Sequence, residues 1–498
     1  MVVTALSGTF KKKQSSTSEH LLAGRKMPWW SIAISYVMSI FGTVAFVAGP
    51  GEAYRYGLRL AVMDWFYLIF APISFFLFIR FYFKAKAFTP FTYLEKRFDY
   101  RVCAILSVTF FLGRALFLAM VLFSLSVVFK SIVGWPTWVT IVIIGITSTI
   151  YCTLGGLKAV VWTQVLVFFV LVGVLFATMV TCMLNVKGGA IGVITYAFEN
   201  DHGFNFSREG FFSFDPHFRL TFWLLMLGSM NGVMLINSTD QIAIQQLLST
   251  KSYKQARNSF LSSMAIGFPL GNILWFIGLA MFAYYAQHPL PEGNPSPDSA
   301  LFTFVRMKMP QPLPALLAAA MLIASLGTIG GVIIAMSTVM TKDFYLRFIR
   351  PTATEEKQVA VSRHLTKFIG IFGIAMALLI SYWSTTLAET VMETVYVWMA
   401  IISISSPVFL MGVLSTRYNA NHALISMLCG FLGILGMAIW YFYSRMTGNP
   451  ISHVSIGVVG FLTTTACALV VPFFQSKAVS EENLKNLTIW TLSRQPEQ

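Results

Sequence analysis

Apolar residues run through this chain in long stretches, separated by short polar segments. The stretches predict membrane spans near 28–54, 60–83, 102–129, 135–153, 159–185, 219–248, 257–286, 312–341, 363–385, 388–415, 420–443 and 453–475. Most are long enough for a helix to cross about 30 Å of hydrocarbon. They do not alternate between apolar and polar as barrel strands do, and an open sheet would leave backbone groups unpaired in lipid. The expected fold class is therefore an all-α polytopic membrane protein with about 12 transmembrane helices. Segment 1–27 reads as a cytoplasmic N-terminal segment, 28–475 as one transmembrane domain and 476–498 as a cytoplasmic tail. The longest intervening stretches, 186–218, 287–311 and 342–362, read as loops.

Two spans carry signs of a break. The first contains Phe41-Gly42-Thr43 and then Gly49-Pro50-Gly51; the sixth contains Gly228-Ser229-Met230-Asn231-Gly232 and then Asn237-Ser238-Thr239-Asp240. They open successive groups of five helices, the spacing of an inverted five-plus-five repeat. In that arrangement unwound backbone supplies ligands. Close packing of ordinary membrane helices uses the same residues, so two readings fit.

Composition reinforces the membrane reading. Only 11% of the 498 residues are charged and 56% are hydrophobic, with a mean hydropathy of +0.70; a soluble domain carries about a quarter charged residues. The net charge of +15 is a topological signal rather than a nucleic-acid footprint. Of 35 Lys and Arg, 25 fall on one side: in 1–27, 80–101, 154–158, 249–257, 342–367, at Arg417 and after 474. That side is expected to be cytoplasmic, with both termini on it, in a cell membrane.

The five cysteines (Cys103, Cys152, Cys182, Cys429, Cys467) show no close pair in sequence and no metal-ligand spacing. All seven histidines fall in loops or at span ends, and no HExxH, phosphate-binding loop or serine elbow occurs. An enzymatic role and a cofactor are not indicated. Asn205-Phe206-Ser207 is a glycosylation pattern that matters only in a eukaryotic secretory setting. Met1–Phe10 is too short to span a membrane.

Charged groups in hydrocarbon are costly and mark function. Arg114 sits in the middle of the third span, as a clamp on backbone carbonyls or a substrate ligand. Glu52, Asp64, Glu389 and Glu393, near outer span ends, read as solvated vestibule residues, and Asp240 and Gln241 as facing the cytoplasmic exit. The eighth span holds Ala318-Ala319-Ala320 and Ala324-Ser325-Leu326-Gly327-Thr328. Small residues there serve tight packing, or expose carbonyl and hydroxyl oxygens to a hard cation such as sodium.

Several ordered motifs then carry a family resemblance from about 20 to 475. Tyr151-Cys152-Thr153-Leu154-Gly155-Gly156-Leu157-Lys158-Ala159-Val160-Val161-Trp162-Thr163 resembles the segment between the fourth and fifth core helices of the sodium/solute symporter family. Leu22-Ala23-Gly24-Arg25, Tyr93-Leu94-Glu95-Lys96-Arg97-Phe98, Asp240-Gln241 with Gln245, and Thr341-Lys342-Asp343-Phe344-Tyr345 are similar to further family elements. Glu52-Ala53-Tyr54-Arg55-Tyr56-Gly57-Leu58 resembles the monocarboxylate, iodide and multivitamin branch. Met1–Phe10 looks like the remnant of an extra helix that precedes the core in much of the family.

The resemblance implies the inverted-repeat symporter fold, alternating access and a sodium site. Its ligands would be the carbonyls of Met38, Phe41 and Ala324, with Gly327 and Thr328. A substrate cavity would lie near Gly42, Thr43, Ala45 and Phe46, with Met63, Tyr67 and Asn231 as further candidates, and Arg114, Gln164, Asp240 and Gln246 as gating or structural residues. Three departures stand out. Gly327 replaces a usual hydroxyl residue, Gln164 an acid, and Gln246 an arginine. The last two together preserve local charge, as two amides in place of an ion pair. The expected function is sodium-coupled symport of a small organic solute or anion across the bilayer. Proton-coupled or uncoupled transport, or a non-transporting solute sensor, are the alternatives.

Overall fold

The computed structural model describes residues 27–85, 90–206, 210–291, 293–387, 390–474, 484–485 and 487–491; Leu22–Arg25 and Glu389 lie outside them. Side chains of 151–160, which include Gly155 and Gly156, are likewise not described, although their backbone is helical. The described residues form helices and one isolated bridge, Met27 to Thr250.

The first expected span is two helices, α1 (Trp29–Ile40) and α2 (Thr43–Tyr56), bent by 53°. Then follow α3 (Val62–Ala85), α4 (Pro90–Arg97), α5 (Tyr100–Ile132), α6 (Thr137–Asn185) and α7 (Gly189–Glu199). The second half holds α8 (Phe222–Ser238), α9 (Gln241–Leu248), α10 (Tyr253–Gln287), α11 (Pro297–Lys308), α12 (Leu313–Val339) and a π-helical turn over Met340–Ile349. It ends with α13 (Glu355–Leu387), α14 (Val391–Met399), a 3₁₀ segment Ala400–Ile404, α15 (Ser405–Leu414), α16 (Ala420–Met446) and α17 (Val454–Phe474).

The expected count of twelve is not reached by length and apolarity. Among the described residues nine helices meet that requirement, or ten with α1 and α2 as one span; Thr137–Ile150 and Phe222–Ser238 are apolar but shorter. The fourth and fifth expected spans run on as one helical trace, α6. All three expected loops contain helical residues: α7 and α11 in the first two, and the end of the π-helical turn with the start of α13 in 342–362.

The breaks fall where backbone chemistry allows. Gly42 takes an extended ψ of −179° between α1 and α2, whereas Gly49-Pro50-Gly51 stays helical inside α2. Gly51 serves close packing instead: a Cβ there would lie 3.2 Å from the Asp298 Cα of α11. In the sixth span the glycine motif 228–232 is uninterrupted helix. The break comes at Thr239–Asp240, where Asp240 leaves helical geometry and its carboxylate caps the Ile242 N–H at 2.9 Å.

α1 and α2 pack on α10, α12 lies against α6 and α5, and α8 lies against α3. α16 pairs with α17, and there the fold overturns the sequence view of isolated cysteines: Cys429 and Cys467, both free thiols, stand with Sγ atoms 3.4 Å apart. Sequence distance hid the pair, because the two residues belong to neighbouring antiparallel helices.

Candidate functional site

The break in α1/α2 is held against α12. Thr43 is hydrogen-bonded to Ser325 through their hydroxyls, both buried. One turn further along α12, Thr328 approaches Gly42 so closely that a Cβ on the glycine would stand 3.3 Å from Thr328 Oγ1 and 3.9 Å from the Met38 carbonyl oxygen. Thr328 Oγ1 also donates to the Ala324 carbonyl at 3.3 Å. A helix that stops at Ile40 leaves its last carbonyls without the donors of a continuing helix. Met38, Phe41, Ala324 and Thr328, expected from sequence as ion ligands, thus come from two elements that the fold brings together. Hard oxygens of this kind suit sodium.

Gly327 contributes no side-chain oxygen. A Cβ there would meet Gln164 Cγ at 3.2 Å, so the space of the missing hydroxyl residue is closed by the glutamine. The three departures from the family pattern therefore converge. Gln164 accepts a hydrogen bond from Ser35, and its amide reaches Ser39 Oγ at 3.5 Å. Gln246 Nε2 donates to Ser35 at 3.1 Å and to Ser39 at 2.8 Å. The two glutamines are joined through two serines of α1, and both are buried.

Arg114 pairs with the Asp240 carboxylate and stands 5.3 Å from the Phe117 ring centroid. It is not the carbonyl clamp the sequence suggested. That role belongs to Arg97 of α4, which donates to the carbonyls of Gly412 at 2.9 Å, Ser415 at 2.5 Å and Tyr418 at 3.0 Å. A cavity of about 30 Å³ lies between the Arg114–Asp240 pair and Thr328, lined also by Ser39, Gln164, Gln246 and Gly327.

A second cavity, about 70 Å³, opens beside the break between α1, α3 and α10. Tyr36, Phe41, Asp64, Tyr67, Ser263 and Phe268 are among its walls. Tyr67 was an expected substrate residue; Asp64 was not. Asp64 is no solvated vestibule residue, because Trp275 Nε1 donates to its carboxylate at 2.7 Å within the helix bundle. Among the other substrate candidates, Thr43 is engaged by Ser325, and Phe46 is buried in an apolar cluster. Met63 accepts from Ser229 at its carbonyl (2.9 Å), and Asn231 accepts from Ser406 (2.8 Å). Gly42 and Ala45 flank the break, with Ala45 N–H bonded to the Gly42 carbonyl at 2.9 Å.

Two further vestibule expectations are overturned. Glu52 is fully buried and forms a two-pronged pair with Arg219, one prong at 3.0 Å, and Thr390 donates to it at 3.3 Å. Glu393 accepts from Tyr441 and Arg445, each at 2.7 Å. Their cationic partners lie far away in sequence, so only packing reveals them.

Two broken helices opening two groups of five spans, with the first break lodged against the eighth span, define the inverted-repeat symporter fold of a multi-pass membrane protein. The chain belongs to the sodium:solute symporter family, whose profile matches residues 20–430. It is 28% identical over 430 residues to the sodium-dependent multivitamin transporter of Oryctolagus cuniculus, covering 84% of this chain and 64% of that protein. It is 24% identical over 490 residues to the sodium/sialic acid symporter NanT of Aliivibrio fischeri, covering 96% and 92%. A solved structure of a Na+-coupled sialic acid symporter, substrate-bound and outward-open, superposes with a TM-score of 0.83 at 21% identity, over 96% of this chain and 97% of its own.

Proposed function

We propose that the protein is a secondary active transporter that couples sodium entry to import of a small organic solute by alternating access. The observation that carries this reading is the contact of the first-helix break with α12, where Gly42 meets Thr328 and Thr43 meets Ser325. Carbonyls of Met38, Phe41 and Ala324 with the Thr328 hydroxyl would bind the ion. A cation there ties two helices of different repeats together and raises solute affinity at the adjacent cavity, and the solute raises that of the ion in return. Sodium-coupled relatives support the choice of ion.

Tyr36, Asp64, Tyr67 and Ser263 give the cavity beside Phe41 its polar handles, while residues such as Phe41, Met264 and Phe268 make the rest apolar. Few polar groups in an apolar cavity suit a compact solute held at one or two points. The 28–475 unit is the transporting domain, set in the cell membrane with both ends in the cytoplasm, as the Lys and Arg distribution supports.

Gly327 favours a second reading, in which a proton or no ion drives the same fold, since that position supplies no hydroxyl. Uptake of candidate solutes into proteoliposomes decides between them. The sodium reading expects uptake that collapses when choline replaces external sodium. Equal uptake in both salts would overturn it, and solute binding without uptake would overturn transport.

A further inference from the structure

α15 ends at Leu414, and the last four carbonyls of a helix have no partner within it. Here each of the four meets a donor from outside the helix. The Met411 carbonyl accepts from the Ser415 N–H at 2.9 Å, and that of Gly412 from Arg97 Nε, also at 2.9 Å. The other two are capped by a stretch that follows the last span. Ile489 N–H donates to the Val413 carbonyl at 3.1 Å and Trp490 Nε1 to that of Leu414 at 2.8 Å. Tyr93 of α4 completes the dock by donating to the Leu487 carbonyl at 2.9 Å.

Apolar contact holds the same stretch. Leu484 is fully buried, and Leu487 and Ile489 pack on the cluster that contains Tyr93, Phe409 and Val413. Its own backbone bonds are turns, Leu487 N–H to the Leu484 carbonyl at 2.9 Å and Thr491 N–H to that of Thr488 at 3.2 Å. The Trp490 ring is 71% exposed although its N–H is bonded. A segment held by so few groups, and tethered to α17 through 475–483, can leave and return without disturbing the bundle.

The helix it caps is the inner part of one span, Val391–Leu414. The outer end of that span is tied as well: Val391 N–H donates to Asp298 at 3.0 Å, and Thr390 donates to Glu52 at 3.3 Å. A span tied at both ends cannot tilt toward either opening until one tie breaks. The inner tie runs to α4 through Arg97, Tyr93 and the docked stretch.

We propose that residues 484–491 form an intramolecular latch, which holds the inner end of α15 against α4 and restrains opening on that side. Docked, the latch supplies two of the four caps. Undocked, it leaves the Val413 and Leu414 carbonyls to water, and only Arg97 and Tyr418 still join α4 to the end of the span. The device is thus an ordered segment whose release shifts the balance between the two openings. It rests on the alternating-access reading, which uptake into proteoliposomes tests separately.

Hydrogen exchange of the purified protein, read at the two ends of this one span, tests the latch without any solute. Removal of residues 484–498 should make the amides of 413–415 exchange about tenfold faster, since their caps are gone. The amides of 391–394 should exchange about threefold slower, because a molecule freed to open inward closes on the outer side. W490F, which keeps the ring and loses only the N–H, should shift both ends in the same directions by less, and decides the matter even where the shortened chain fails to fold. A synthetic peptide of residues 484–498 added to the shortened chain should reverse both shifts. Faster exchange at 413–415 alone would reduce the segment to a local cap and overturn the latch. Faster exchange at both ends would mean general loosening and overturn it equally, and unchanged exchange would overturn the docking itself.

Discussion

Gly42 and Thr328 face each other across the helix break with little room for a methyl group: a Cβ on Gly42 would press to 3.3 Å from Thr328 Oγ1. The glycine is required by proximity rather than by backbone conformation, since its φ of −63° is open to any residue. Gly42→Ala should therefore displace the Thr328 hydroxyl and weaken the ion site. The overpacking cost is about 1–3 kcal/mol. Sodium-dependent uptake should need several times more sodium in G42A, and the G42A/T328S variant, which frees the γ-methyl space, should recover part of it. Unchanged sodium dependence in G42A would remove Thr328 from the site.

The Gln164–serine–Gln246 cluster makes a sharper demand. Gln164→Asp alone, or Gln246→Arg alone, places one unpaired charge in a buried network, and each should cost about 3–5 kcal/mol. Together they restore an ion pair across Ser35 and Ser39, so the double variant should regain expression and uptake. A double-mutant cycle measured by melting and uptake checks this; strictly additive losses would mean that the two positions are not coupled.

On the other side of the bundle, Glu52 and Arg219 are joined across 167 residues of sequence. Arg219→Ala would leave a fully buried carboxylate beside Thr390, with an expected loss of about 3–5 kcal/mol. Replacing both partners, as in E52Q/R219Q, should cost clearly less. Thermal unfolding of the three proteins in the same detergent measures the difference.

Asp298, in the helix α11 outside the spans, accepts from the Val391 N–H at 3.0 Å and so caps α14. Burial pushes its carboxyl up to about 7, opposed by the Val391 bond and reinforced by nearby Glu52. The folded state thus holds a proton that the unfolded chain has released, so this group's stabilisation is full below about pH 4 and is lost as pH rises toward 7. The Tm of wild type should fall across that interval by more than that of Asp298→Asn. Parallel pH profiles would show that Asp298 does not titrate there.

Much of the architecture was legible along the chain because a bilayer imposes its constraints locally. Every span must be helical and apolar in its own right, so length and composition were enough to expect an all-helical bundle. The break at Phe41–Gly42 and the small residues around Thr328 could be read for the same reason. Each is a local departure from ordinary helix.

Other features depended on helix rotation and on partners distant in sequence. Nothing near Asp64 says that it turns toward Tyr67 and Trp275 rather than to water, and nothing near Glu52 announces Arg219. Of the two stretches marked in the sixth span, the break fell at Asn237–Asp240 and not at the glycines, since glycines permit a break whereas an Asp240 cap enforces one. The sequence alone determined a multi-spanning helical bundle with an interrupted first helix. Only the tertiary structure decided which buried polar groups meet, because desolvation makes each of them seek a partner wherever the packed helices offer one.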